Sequence, residues 1–386
     1  MDIGLYIHIP FCVKKCAYCD FASYPGMLSH AQTYMEALSL ELRAQAERFP
    51  ACRARTVFLG GGTPTLLSGA QVGALLDAAR SCFPFAADAE ITMEGNPGTL
   101  TAESLAAYRA AGVNRLSLGM QAAQDGLLKT LGRIHRLHDV QEGVRMARAA
   151  GFENINLDLI YGLPGQTKTD WQETLERALD LSPKHLSCYA LIVEEGTRLA
   201  ISLSEGNLPP LPDEDAEREM YEAAIRAAKR AGLCQYELSN FARPGFECRH
   251  NLVYWTCAPY LGVGLAAHSY MEERRFGNTA HMGTYLSAVR AGESPQDSCE
   301  SLTVKDRMFE RAMLGLRLTR GMDGSRFARD FHVTPQACWG EKLTRLIDAG
   351  LLIWEGDFLR LTRRGMDVQN AVLVELMDFE APKSGF

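Results

Sequence analysis

Cys12, Cys16 and Cys19 lie close together near the N-terminus, in the run Cys12-Val-Lys-Lys-Cys16-Ala-Tyr18-Cys19-Asp-Phe21. The spacing C-x3-C-x2-C sets three thiols on one short loop, and cysteine thiolates are the usual ligands of iron–sulfur clusters. Three of them can hold three corners of a cubane, which leaves the fourth iron without a protein ligand. An open metal position is where chemistry takes place. Other readings stand beside this one. A structural zinc wants four protein ligands, and the next cysteine, Cys52, is far along the chain. A disulfide needs an oxidising compartment, and the opening Met1-Asp-Ile-Gly-Leu-Tyr has neither the basic start nor the long apolar stretch of a secretory leader. Unconnected buried cysteines are the last alternative.

Such a loop needs a scaffold. Short apolar runs alternate with amphipathic, helix-patterned stretches, which predicts repeated βα units around a parallel sheet. Strands are expected over residues 4–9, 56–59, 90–94, 115–118, 155–160 and 185–190. Three of the intervening helices are expected to start at a hydroxyl residue with Gln three positions on: Ser29 with Gln32, Ser68 with Gln71, Thr169 with Gln172. Gly112 and Gly151 read as helix-closing glycines, and Gly232 as the end of a long helix over residues 213–231. Six units are too few for an eight-fold barrel. The expected α/β fold is an incomplete, TIM-like (βα)6 barrel open on one side, over residues 1–240, with ligands at the C-terminal strand ends.

The pattern changes after about residue 240. Residues 241–300, rich in aromatics, glycine and histidine, read as a connecting segment. Residues 301–386 read as a mostly helical domain. Its helices are expected over 303–318, 325–330 and 335–349, followed by a hairpin over 351–361 turning at Glu355-Gly-Asp and a last helix near 363–377. Helix, helix, hairpin predicts a winged-helix-like unit. Net charge of −7 leaves no surplus of cations for phosphates, so a packing or docking role is favoured over nucleic-acid binding. No apolar run approaches the roughly 18 residues that span a bilayer. Eleven dispersed cysteines fit a reducing, cytoplasmic setting.

Several further residues fall at strand ends. Gly60-Gly-Gly62-Thr-Pro-Thr65 follows one strand and precedes a helix, where glycines let backbone approach a ligand and expose its N–H groups; a plain turn would look the same. Glu94, Gln121 and Asp158 end or nearly end three other strands, and Arg133 follows in Gly132-Arg133-Ile-His. Taken singly, each could be a capping, salt-bridging or solvated residue.

The run Tyr6-Ile-His-Ile-Pro-Phe-Cys12, with Cys16-Ala-Tyr18-Cys19 after it, resembles the cluster loop of the radical S-adenosylmethionine (SAM) family. The resemblance implies a [4Fe-4S] cluster on Cys12, Cys16 and Cys19, with the amino and carboxylate groups of SAM on the open iron. In that family the reduced cluster can cleave SAM to a 5′-deoxyadenosyl radical. Carried over position by position, the resemblance implies cofactor contacts at Tyr6, Tyr18, Gly61, Gly62, Thr63, Glu94, Gln121, Arg133 and Asp158, with a backbone contact near the adenine at Ala190.

Within the family, the strings Gly-Gly-Gly-Thr-Pro-Thr, Asp158-Leu-Ile-Tyr-Gly-Leu-Pro-Gly-Gln-Thr and Asn240-Phe-Ala-Arg-Pro are similar to the oxygen-independent coproporphyrinogen III oxidases and to a related branch of heme chaperones. Three features favour the chaperone branch. Phe21 stands where the oxidases have a further cysteine. Only eleven residues precede Cys12, where the oxidases carry an extension. His250-Asn-Leu-Val-Tyr254-Trp255 matches an H-N-x-x-Y-W motif of the chaperones. Its imidazole and two large π faces make His250, Tyr254 and Trp255 candidate heme contacts, since iron takes an axial His. His268 is a second candidate, or an altered SAM contact. The implied function is heme binding and transfer to an acceptor protein, by family analogy a membrane-bound respiratory protein. The alternative is SAM-dependent oxidative decarboxylation of coproporphyrinogen III, so enzymatic activity is left open.

Overall fold

The computed structural model of the chain describes residues 1–379; the last seven residues of the expected helical domain lie outside them. Strands β1 (Asp2–Ile9), β2 (Arg53–Gly61), β3 (Phe85–Gly95), β4 (Arg115–Gln121), β5 (Asn154–Tyr161) and β6 (His185–Ala190) follow one another in space as in sequence. Each pairs in parallel with the next. Between and after them run α1 (Ala31–Arg48), α2 (Gly69–Cys82), α3 (Ala102–Ala111), α4 (Leu137–Ala149), α5 (Lys168–Asp180) and α6 (Glu214–Arg230). Parallel strands in sequential order are the wall of a barrel, because right-handed crossovers then place every helix on one side.

Side-chain period two divides the wall. Ile3, Leu5, Ile7, Val57, Leu59, Ile91, Met93, Leu116, Leu118, Ile155, Leu157 and Leu186 belong to the apolar core shared with the helices. The alternate positions carry Tyr6, His8, Thr56, Phe58, Glu90, Thr92, Glu94, Arg115, Ser117, Asn156, Asp158, His185 and Ser187. Parallel strands buried on both faces usually read as continuous apolar runs. Here the inner face is largely polar, and hydrogen-bond networks such as Ser117–Asp158–Asn156–His185 cross the barrel interior.

The expected connecting segment, with the residues just before it, does more than connect. Strand β7 (Cys234–Gln235) and β8 (Asn240–Ala242) extend the sheet beyond β6. On the other side β9 (Tyr260–Val263) joins β1 in parallel. Antiparallel β10 (His268–Met271), β11 (Arg274–Asn278) and β12 (Gln296–Ser301) follow. The result is one 12-stranded sheet in the order β12-β11-β10-β9-β1-β2-β3-β4-β5-β6-β8-β7. Its ends do not pair with each other among the described residues, which keeps the barrel open on one side.

Helix starts show which caps the sequence placed correctly. Ser68 and Gln71 form a reciprocal capping box on α2. On α5 the box is Thr167 with Asp170, two residues ahead of the expected Thr169 and Gln172; a charged acceptor makes the stronger bond to the capping N–H groups. The expected Ser29–Gln32 box is absent, because a 3-10 turn over Leu28–His30 leads directly into α1. Gly112, at φ +104°, closes α3 in the left-handed conformation.

The C-terminal domain has its own core around Met308, Phe327, Trp339, Leu343 and Leu359. Helices Val304–Gly315, Gly324–Phe331 and Pro335–Asp348 pack on a small sheet in which Phe358–Leu361 lies between Met322–Asp323 and Leu352–Glu355. The expected last helix is two, Arg363–Asp367 and Gln369–Met377, broken at Val368 (φ −122°). Arg218–Asp367 at 2.8 Å and Arg275–Glu310 at 2.6 Å tie this domain to the barrel. No helix among the described residues is long and apolar enough to cross a membrane.

Candidate cluster and cofactor site

The thiol loop leaves the C-terminal end of β1 and is fastened at several points by its own backbone. Phe11–Cys12 pairs in parallel with Tyr24–Pro25. The Ala17 N–H donates to Leu131 O at 2.9 Å, the Leu199 N–H to Ala17 O at 2.9 Å, and the Gly26 N–H to Cys12 O at 3.3 Å. All three cysteines are half-buried. The Thr63 hydroxyl donates to Cys12 Sγ at 3.6 Å, and Arg133 Nη1 donates to Cys16 Sγ at 3.4 Å. Burial pushes the Cys12 and Cys19 thiols up, so the free loop holds them protonated. Among the described residues no three His, Cys, Asp or Glu side chains are gathered to hold a single ion. A tetrahedral zinc needs its ligands around one point, whereas a cubane takes each thiolate on a different iron. The donor set fits the cluster and leaves one iron open.

Three amides of the Gly-rich stretch are engaged within the protein. Gly61 N–H donates to Glu94 Oε2 at 3.1 Å, Gly62 N–H to Ile9 O at 2.8 Å, and Thr63 N–H to Phe11 O at 2.7 Å. The glycines are needed for closeness. Gly61 has φ +111°, and a Cβ there would stand 2.4 Å from the His8 ring; one at Gly62 would stand 2.6 Å from Phe11 O and 3.0 Å from Cys12 Sγ. This loop is a splint for the cysteine loop.

The strand-end residues surround that splint. Glu94 is aimed at Gly61, and burial together with the nearby Asp158 charge raises its carboxyl to about 7, against the pull of the Gly61 N–H. Asp158 is fixed on both oxygens, by Ser117 Oγ at 2.9 Å and Asn156 Nδ2 at 2.8 Å. Gln121 ends β4 with φ +65°, beside a register shift after Gly119. Such strained backbone collects at ligand sites. A Cβ at Gly119 would meet Gln121 Nε2 at 2.7 Å and Arg133 Nη2 at 2.9 Å, so these two side chains converge there. Arg133 Nη2 donates to Gly119 O at 2.9 Å, while its buried Nε has no partner. Tyr18 lies against Arg133 and the Cys16 and Cys19 thiols. Ala190 closes β6 beside Tyr161.

Three residues that hold the loop were not singled out in the sequence. His8 Nε2–H donates to Ala22 O at 2.8 Å, and its Nδ1 takes the Tyr6 hydroxyl at 3.0 Å. Tyr34 OH donates to His8 O at 2.9 Å and accepts the Leu265 N–H at 2.9 Å. Glu41, fully buried, accepts Gly264 N–H at 2.8 Å, Asn278 Nδ2–H at 2.6 Å and Tyr285 O–H at 2.6 Å. The signal for His8 was its period-two relation to Tyr6. That for Glu41 was its place on the apolar stripe of α1 with Met35, Leu38 and Leu42.

The H-N-x-x-Y-W motif forms a short helix, α7 (Arg249–Trp255), set against the other end of the barrel. Glu90 anchors it, accepting the Arg249 and His250 N–H groups at 3.0 Å each. His250 is 1% exposed, and both ring nitrogens are engaged, by Thr56 Oγ1 at 2.8 Å and Tyr254 OH at 2.9 Å. Tyr254 stands edge-on to Tyr260, and Trp255 takes Arg317 of the C-terminal domain over its ring. His268 is exposed on β10, two strands from β1.

A partial parallel barrel with three cysteines at the mouth is the architecture of a radical SAM protein. The model of the radical SAM superfamily matches residues 6–178, and that of the HemN C-terminal domain matches residues 302–368. The chain is 38% identical to the heme chaperone HemW of Mycobacterium tuberculosis, over 97% of this chain and 94% of that one. It is 37% identical to the heme chaperone HemW of Bacillus subtilis, over 95% and 97%. Among solved structures, the coproporphyrinogen III oxidase HemN of Escherichia coli superposes with a TM-score of 0.84 at 26% identity, over 97% of this chain and 89% of that one. The chain belongs to the HemW family of radical SAM proteins. A [4Fe-4S] cluster and SAM are the cofactors of that superfamily.

Proposed function

We propose that this protein is a heme chaperone, which binds heme and hands it to an acceptor protein while carrying a [4Fe-4S] cluster and SAM. The observation that supports this most is the match along nearly the whole chain to proteins named heme chaperone. Cys12, Cys16 and Cys19 hold the cluster. Tyr6, Tyr18, Gly61, Gly62, Thr63, Glu94, Gln121, Arg133, Asp158 and Ala190 surround the SAM. When reduced, such a cluster can supply one electron to SAM. The chain's own residues do the positioning: Arg133 offsets negative charge beside Cys16, Asp158 is pre-oriented by Ser117 and Asn156, and Glu94 faces the cationic end of the ligand. For heme, His268 is exposed while His250 is enclosed. An acceptor in a respiratory membrane is the class favoured by analogy, and the cytoplasm is the expected compartment.

One anaerobic experiment separates this reading from porphyrin decarboxylation, which the fold shared with the oxidase favours. The cluster-loaded protein is titrated with hemin and, in parallel, incubated with SAM, reductant and coproporphyrinogen III. The expected result is a Soret shift without protoporphyrinogen. Product formation without a Soret shift would reverse the assignment.

Glu94 adds a pH signature. SAM presents positive charge, and a cation binds the ionised carboxylate. Below about 7 the carboxyl is protonated and the proton must leave first. SAM affinity should therefore rise with pH up to about 7, by as much as about tenfold per unit. Glu94→Gln should flatten that rise. Isothermal titration with the cluster-loaded protein across the range checks it.

A further inference from the structure

His250 lies at the far end of a column of side chains that finishes on the cysteine loop. Its ring stacks on Phe58, with centroids 5.1 Å apart and an interplanar angle of 29°. Phe58 stacks on Tyr6 at 6.2 Å and 28°. The Tyr6 hydroxyl donates to His8 Nδ1 at 3.0 Å, and His8 Nε2–H donates to Ala22 O at 2.8 Å, three residues after Cys19. Strand register places the ends of the column at opposite ends of the barrel: Gly4, near the start of β1, faces the His250 ring, and the thiol loop follows Ile9. The column also reaches Glu94. A Cβ at Gly60 would stand 2.8 Å from the Phe58 ring and 3.0 Å from Glu94 Oε2, so ring and carboxylate converge there.

The lower end is fixed from several sides. Thr56 and Tyr254 hold the two imidazole nitrogens, and Glu90 holds the His250 N–H. Aromatic stacks and a buried hydrogen-bond chain transmit displacement because close-packed rings cannot slide without opening a void. A shift at His250 moves Phe58, and Phe58 touches both Tyr6 and the Glu94 side of the site.

We propose that His250 is a positioning residue for the cluster and SAM site, acting through Phe58, Tyr6 and His8, and that it is not a ligand to heme iron. The proposal rests on the reading of the barrel mouth as the SAM site. It also gives the motif a place in the molecule: α7 sets the floor of the column, and Trp255, under Arg317, joins that floor to the C-terminal domain.

The test compares wild type, His250→Ala, His250→Phe and Phe58→Leu, each reconstituted with the cluster. Two quantities are read: the SAM concentration that changes the EPR spectrum of the reduced cluster, and the Soret band after addition of hemin. Phenylalanine keeps a flat ring on Phe58 and has no atom that can bind iron. Phe58→Leu breaks the stack while leaving the His250 hydrogen bonds in place. The expected result is that His250→Ala and Phe58→Leu each need about tenfold more SAM. His250→Phe stays near wild type, and the Soret band is the same in all four. An unchanged SAM response in His250→Ala and Phe58→Leu would overturn the proposal. So would loss of the Soret band in His250→Phe. A wild-type cluster whose spectrum ignores SAM would remove the site reading, and this inference with it.

Discussion

Cys16→Ser should leave a folded protein that cannot keep its cluster. The loop around Cys16 is held by main-chain bonds, Ala17 to Leu131 and Leu199 to Ala17, that do not involve the sulfur. The thiol is half-buried, and its sulfur accepts a hydrogen bond from Arg133. Fold stability should therefore change by about 0.5 kcal/mol or less. Iron retention is another matter. A serine hydroxyl is a hard, weakly acidic ligand, and iron–sulfur clusters are held by thiolates. A cubane fixed at two corners on a solvent-facing loop has no protein ligand to replace the third. Iron per chain after anaerobic desalting should fall by more than about tenfold, since even changes outside the ligand set can cost that much metal affinity. The EPR response to SAM should disappear with it. Thermal melting of the apo forms should coincide with wild type; a Cys16→Ser protein that retained its iron would refute the ligand assignment.

Glu41→Ala should be the most destabilising single change in the barrel. It removes one carboxylate and leaves three buried hydrogens without that acceptor: the Gly264 N–H, the Tyr285 O–H and one of the two on Asn278 Nδ2, whose other bond, to Gly264 O at 2.8 Å, stays. A buried donor left without an acceptor costs about 1–3 kcal/mol, so the three together should cost roughly 3 kcal/mol or more. Glu41→Gln keeps an acceptor oxygen and should lose less, about 1–3 kcal/mol. Equilibrium urea unfolding of the apo protein measures both. An alanine variant within about 1 kcal/mol of wild type would mean that water or rearrangement satisfies the donors. The change should also reach the cluster loop. Glu41 holds the turn containing Gly264 and Leu265, and the Leu265 N–H holds Tyr34, which holds His8 O.

The parallel wall was legible because its outward positions alternate with polar ones, and each strand proved at least as long as its apolar run. The cysteine loop was legible for a different reason: three thiols at fixed spacing have few other uses. Strands β9 to β12 were not, being short, interrupted by glycine and histidine, and dependent on β1 as a template that local sequence does not reveal. The partners of the Gly-rich amides, Ile9, Phe11 and Glu94, were not legible, since only the fold brings them near. His250 read as a candidate heme contact because an imidazole among aromatics is ambiguous in sequence. Burial and two hydrogen bonds to its ring resolve its surroundings. Glu41 was unreadable as a brace, since a carboxylate in a helix is usually solvated.

The placing of β1 between β2 and β9 sets two orders against each other. In synthesis the cysteines are made well before the residues that enclose them. In enclosure they come late: their strand gains its second neighbour only when residues 260–263 exist, and the Tyr24 hydroxyl, at the end of their loop, donates to Ala280 O. The reactive end of the molecule is thus made well before its wall can close.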